Sequence, residues 1–163
     1  MKTCYALLAI LLGSQILMVG QDTLPFSQYP VTSRFKGTPV PARPITAFAR
    51  RYRTVIRRGA ADGPNFAGHY TVVFWGCGTA CAQFVIVDAE TGNVFDPPYR
   101  GVSFEAPQGG FFQQSGIHYQ LNSSLLVVQG CPEDKDCAEH LYNWTGDKLE
   151  PVGTKPLTPL EPR

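Results

Sequence analysis

Charge is scarce in this chain. Only 17% of its 163 residues are Asp, Glu, Lys or Arg, and the net charge is +1. No long-range pull toward a polyanion or a membrane surface therefore acts on the molecule as a whole, and nucleic acid is not an expected partner. Long apolar runs are missing too. The longest near the start, Tyr5–Leu12, is interrupted by Gly13-Ser14-Gln15, well short of the roughly 20 residues a helix needs to cross a bilayer. An integral membrane helix is not expected. There is no internal repeat of the kind that builds propellers or solenoids, and no Cys-X-X-Cys pair of the kind found in thiol oxidoreductases.

What the chain does have begins at its N-terminus. Lys2 gives a positive start, Tyr5–Leu12 an apolar centre, and Gly20 a small residue before Gln21. This is the pattern of a secretory signal peptide over 1–20, cleaved near Gly20, and it predicts a secreted or periplasmic protein. Cleavage removes Cys4 and leaves Cys77, Cys81, Cys131 and Cys137. Four cysteines in an oxidising compartment predict two disulfides with three conceivable connectivities. Local pairs, Cys77–Cys81 and Cys131–Cys137, are favoured. Each would contribute about 2 kcal/mol by restricting the unfolded chain, against about 4 for a bridge from 77 to 131. Local bridges therefore stiffen loops more than they support the whole fold.

The 44% hydrophobic content suits a single core. Residues 21–44 hold five prolines (Pro25, Pro30, Pro39, Pro41, Pro44), which rules out a regular ladder and predicts an extended arm. Phe26, Tyr29 and Phe35 are positioned to tuck against the domain. Ile45, Phe48, Tyr52, Val55 and Ile56 recur at helical spacing, which predicts one helix over Ile45–Arg58 with Gly59 ending it. Arg50, Arg51, Arg53, Arg57 and Arg58 fill its other side. Beyond it, alternation and turn residues predict strands at Tyr70–Trp75, Ala82–Val87, Val94-Phe95, Ile117–Leu121, Leu125–Gln129, Glu139–Trp144 and Lys148–Val152, with Val102–Phe104 a further candidate in an irregular 99–114 region. The expected fold is α+β: a mostly antiparallel meander over 45–152 with one N-terminal amphipathic helix packed on the sheet and disulfide-stiffened loops. Residues 153–163, with Pro156, Pro159 and Pro162, read as a disordered tail.

The motif Asn65-Phe66-Ala67-Gly68-His69-Tyr70, followed by Trp75-Gly76-Cys77-Gly78 with Cys81 and then Asp88 with Thr91-Gly92, resembles a signature of uncharacterised secreted bacterial proteins. The resemblance covers about thirty residues tightly. It implies an exported β-rich domain and brings no activity, catalytic residue or cofactor with it.

Candidate chemistry is limited. Cys77 and Cys81 stand between strands with no helix N-terminus behind them, so a structural bridge is expected over a redox pair. His69 lies eight residues before Cys77, a strand length of roughly 25 Å, and no acid is evident in the sequence to orient it as a base. The cysteine spacings do not match a structural zinc set, so no metal or cofactor is expected. The loop Glu133-Asp134-Lys135-Asp136 between Cys131 and Cys137 is a pre-organised charged projection suited to inserting into a partner's cleft. Acids of the C-terminal third, Glu133 to Glu150, are available to neutralise Arg50, Arg53, Arg57 and their neighbours.

The expected role is binding to an envelope or extracellular protein or glycan, inhibitor-like through the acidic loop. Candidate contacts are Trp75, His69, Glu133, Asp134, Lys135, Asp136, Arg50, Arg53 and Arg57. The alternatives are a secreted hydrolase or thiol-disulfide oxidoreductase, and an envelope-associated structural module working through the basic helix.

Overall fold

The computed structural model describes residues 24–104 and 116–157. The expected signal peptide, most of the irregular 99–114 region and the end of the tail lie outside the described residues.

Before the first strand the chain folds back on itself. Phe66 and Tyr70 exchange both main-chain hydrogen bonds at 2.9 Å. The Asn65 side chain clamps Val72, accepting from its N–H at 2.8 Å and donating to its carbonyl at 3.2 Å. Strand β1 (Tyr70–Gly78) then pairs antiparallel with β2 (Cys81–Asp88), Tyr70 opposite Asp88. Nearly all of β2 is buried, as an apolar strand covered on both faces should be. Its other edge takes the short strands β3 (Val94–Phe95) and β4 (Val102–Ser103). A second group follows: β5 (Ile117–Tyr119), β6 (Leu125–Pro132), β7 (Ala138–Trp144) and β8 (Leu149–Lys155). One eight-stranded antiparallel sheet runs β1-β2-β4-β6-β7-β8, with β3 on β2 and β5 on β6. The expected α+β class is what the chain adopts.

The two groups meet face to face around the largest core. Tyr70, Val72, Phe84 and Ile86 from the first pack with Leu126, Val128, Tyr142 and Trp144 from the second. Edge-on ring contacts cross the gap, Tyr70 to Trp144 at 5.1 Å and Phe95 to Trp144 at 5.3 Å. The alternation of β1 explains the layering: Tyr70 and Val72 point inward, while Val73 and Trp75 point out to a second core beneath the helices. Leu125, Val127 and Leu141 face out from the other group, under Leu24, Phe26 and Tyr29 of the arm.

The arm is extended, as its prolines require, with one 3-10 turn at Phe26–Gln28. It is held by single main-chain bonds: Val31 to Asn122, Phe35 to Gly68, Val40 to Ala89 and Arg43 to Gly92, at 2.8 to 3.0 Å. Gly68 and Gly92 are what let it in. A Cβ at Gly68 would stand 2.1 Å from the Ser33 carbonyl oxygen, and one at Gly92 would stand 2.4 Å from that of Pro41. Phe35 is half-buried on the arm itself, against Gly37.

The expected single helix is two, α1 (Ala47–Arg51) and α2 (Arg53–Ala61). The break falls at Tyr52, whose ring packs on Trp75 at 4.8 Å and Phe48 at 5.3 Å. Ile45 is not part of the apolar stripe. It precedes the N-cap Thr46, whose hydroxyl accepts from Ala49 N–H at 3.0 Å, and it is 72% exposed. Nor does Gly59 end the helix, which runs on to Ala61. Its purpose is close approach: a Cβ there would sit 2.6 Å from Cγ1 of Val73 on β1. The tail expected from 153 does not begin there, because β8 continues to Lys155, where the ammonium lies 3.8 Å from Glu139.

Gly59→Ala tests this packing. In a helix interior alanine normally gains about 0.5–1 kcal/mol over glycine, whereas overpacking against a strand costs about 1–3 kcal/mol. Net destabilisation is expected in urea titrations. A variant more stable than wild type would show that the helix does not lean on Val73.

Candidate functional site

Both disulfides form locally: Cys77–Cys81 with Cα atoms 5.2 Å apart, and Cys131–Cys137 with Cα atoms 4.0 Å apart. The first closes the β1–β2 hairpin, where the register shifts between Gly76 and Gly78. The second closes the β6–β7 connection. There Asp134 N–H donates to Cys131 O at 3.2 Å and Lys135 N–H to Pro132 O at 3.1 Å. Glu133, Asp134 and Asp136 all hold positive φ, at 51°, 60° and 44°. Non-glycine residues in that region cost on the order of 1 kcal/mol or more each, and persist only where the surroundings enforce them. The short ring provides that enforcement.

These loops are distant in sequence and adjacent in space. Strand β4 lies between them: Ser103 pairs with Cys81 on one side and Cys131 on the other, and Val102 with Ala82 and Pro132. A hydrogen-bond chain runs across the same end of the sheet. Trp75 Nε1 donates to Gln83 Oε1 at 3.0 Å, Gln83 Nε2 to the Arg100 carbonyl at 2.8 Å, and Arg100 N–H to Glu133 Oε1 at 3.2 Å. Glu133 N–H returns a bond to Gly101 O at 3.0 Å, and the Ser103 hydroxyl donates to the Asp134 carboxylate. His140 Nε2 lies 2.7 Å from the Asp136 carbonyl, so it carries the proton and donates. The Arg100 guanidinium sits 4.7 Å over the Phe48 ring and 3.2 Å from Asp96, whose other oxygen accepts from Thr46. One end of the molecule thus unites the acidic loop, the Cys77–Cys81 hairpin and Trp75. Glu133, Asp134, Lys135 and Asp136 are exposed there.

The other sequence candidates lie elsewhere. His69 is at the far end of β1, and nothing brings it to a cysteine. It does have an acid beside it, contrary to the sequence reading: Asp88 Oδ1 lies 3.9 Å from its Nε2. The antiparallel register is the reason, and counting back from the Cys77–Cys81 hairpin would have revealed it. Ligand atoms of His69, Asp88 and Glu90 lie within 4.8 Å of one another, so this trio is the set that could hold a metal ion among the described residues. Asp88 already has work there, since its oxygens accept from Glu90 N–H at 2.8 Å and the Thr91 hydroxyl at 2.6 Å to close the β2–β3 turn. The four cysteines, being bridged, supply no thiolate for zinc. Arg50, Arg53 and Arg57 are exposed on the helices; Arg57 Nε donates to Ala42 O at 3.4 Å. Sequence reasoning missed Gln83, Arg100 and Ser103, which act through main-chain and cross-strand partners that no local pattern marks.

Tyr99 floors this end, beneath Arg100, packed on Phe84 and Tyr142. Burial, with the neighbouring Tyr142, pushes its hydroxyl far above the usual value of 10.0. The unfolded chain releases this proton near pH 10 while the folded protein keeps it. Stability is therefore unaffected below about pH 10 and falls as pH rises beyond, at up to about 1.4 kcal/mol per pH unit for this one group. Tyr99→Phe is expected to make that alkaline slope shallower by about one proton's worth in melts at stepped pH. An unchanged slope would refute the assignment.

No protein-family model matches the chain, and no curated protein or solved structure matches it.

Proposed function

We propose that the protein is an exported binding domain that inserts its Cys131–Cys137 loop, braced by the Cys77–Cys81 hairpin, into a basic cleft of an envelope or extracellular partner. The observation that supports this reading is the convergence of two disulfide-closed loops on β4, at one end of the sheet. Three carboxylates and one ammonium stand exposed on the acidic loop, complementary to a cationic surface. The bridge and the left-handed main chain leave little freedom to lose on docking, which favours affinity. Trp75 and Arg100 beside it are residue types that commonly anchor interfaces. Neither disulfide stands at a helix N-terminus, the usual setting of redox-active cysteine pairs. The arrangement suits recognition better than thiol chemistry. Two disulfides favour an oxidising compartment, in keeping with the signal-like start.

Two double variants test it: Glu133→Lys/Asp136→Lys, which reverses the loop charge, and Cys131→Ser/Cys137→Ser, which opens the ring. The mature protein is used to capture partners from envelope extract, read by quantitative mass spectrometry, with circular dichroism confirming the fold. Whatever wild type enriches should fall roughly tenfold or more with each variant, as loss of a buried charge-assisted contact predicts. An identical captured set from all three proteins would end the proposal.

A further inference from the structure

We propose that the face formed by the end of α1 and by α2 is a second binding site, and that it takes an acidic polysaccharide. A pocket of about 330 Å³ opens there, lined by Arg51, Tyr52, Thr54, Val55 and Arg58. This is the lower end of the size range of small-ligand sites, which typically pair an apolar floor with a few polar groups. Half-buried Tyr52 and Val55 give its lining apolar surface, and exposed Arg51 and Arg58 give it two guanidiniums. Tyr52 is fixed from behind by Trp75 and Phe48, and the Arg51 guanidinium lies 5.8 Å from the centre of its ring.

Residues 45–61 contain five arginines and no Asp or Glu. Among the described residues, no ion pair reaches Arg50, Arg51, Arg53, Arg57 or Arg58. Of the acids expected to cover them, Glu139 pairs with Lys155 and Glu150 with Lys148, and Asp134 accepts from Ser103. An internally compensated basic face would show the opposite. Guanidiniums bind carboxylate and sulfate groups through paired N–H donors, and an apolar lining beside them suits the C–H face of a sugar ring. A bilayer is a poorer fit, because the exposed residues of the two helices are Ala47, Ala61, Thr54 and five arginines, leaving Ile45 before α1 as the one large apolar side chain to insert. Nucleic acid is disfavoured by the two disulfides, which belong to compartments outside the cytoplasm.

The probe is a size-defined heparin oligosaccharide, titrated calorimetrically into the mature protein at about 50 mM salt, where ionic contacts are strong. Arg51→Ala/Arg58→Ala is compared with Arg50→Ala/Arg53→Ala, which removes equal charge from the same helices outside the pocket. All four side chains are exposed, and thermal melts check that both variants remain folded. Wild type is expected to bind, with affinity falling as salt rises. The pocket pair should lose roughly tenfold or more, about 1.4 kcal/mol, and the control pair distinctly less. Equal losses in the two pairs would reduce the site to diffuse charge and overturn the pocket. So would no binding by wild type, or tighter binding to phosphatidylglycerol vesicles or to a DNA duplex than to heparin. None of these outcomes bears on the acidic loop, none of whose residues lines the pocket.

Discussion

Two residues stitch the sheet together. Val102 and Ser103 are the whole of β4, yet among the described residues it is through them that β2 is joined to β6 in the ladder. Without that junction the molecule would be two small antiparallel sheets facing each other across a cluster of rings. With it, the faces are held at one angle and the ends of two hairpins are brought side by side. Each disulfide abuts the junction, since Cys81 and Cys131 are the residues that flank Ser103. Bridges this short restrict the unfolded chain only modestly. Their larger effect is to keep the partners of β4 from fraying at the point where the pairing is thinnest.

The motif at the start of β1 is accounted for by folding. Asn65 replaces a missing ladder partner for Val72, Phe66 is fully buried, and Gly68 and Gly92 make room for the arm. Asp88 and Thr91 close the turn between β2 and β3. The motif is therefore a set of instructions for seating an extended proline-rich arm against a hairpin. His69 is the exception, half-exposed and aimed at Asp88 without completing a hydrogen bond to it.

What the sequence disclosed was whatever is encoded within a few residues. Alternation and turn residues placed β1, β2 and β6, and short cysteine spacing anticipated both bridges. The apolar stripe of Phe48, Tyr52, Val55 and Ile56 located the helical segment. What it did not disclose depends on pieces far apart in the chain. Nothing local says that Gly59 must lie against Val73, that the helix must break to seat the Tyr52 ring on Trp75, or that the acids of the C-terminal third find lysines and a serine instead of the arginines. The site followed the same rule. Its loops were recognisable individually from cysteines, prolines and charges, whereas their adjacency came from a two-residue strand in the least regular part of the sequence.

The two tryptophans occupy different layers. Trp75 lies with Tyr52 and Phe48 beneath the helices, and Trp144 is 6% exposed among Phe66, Tyr70 and Phe95, between the halves of the sheet. Each indole is thus a built-in optical reporter for its own interface. Replacing one at a time by phenylalanine leaves emission from the other alone, so detachment of the helices and parting of the sheet halves become separately visible in one chain, with no extrinsic label.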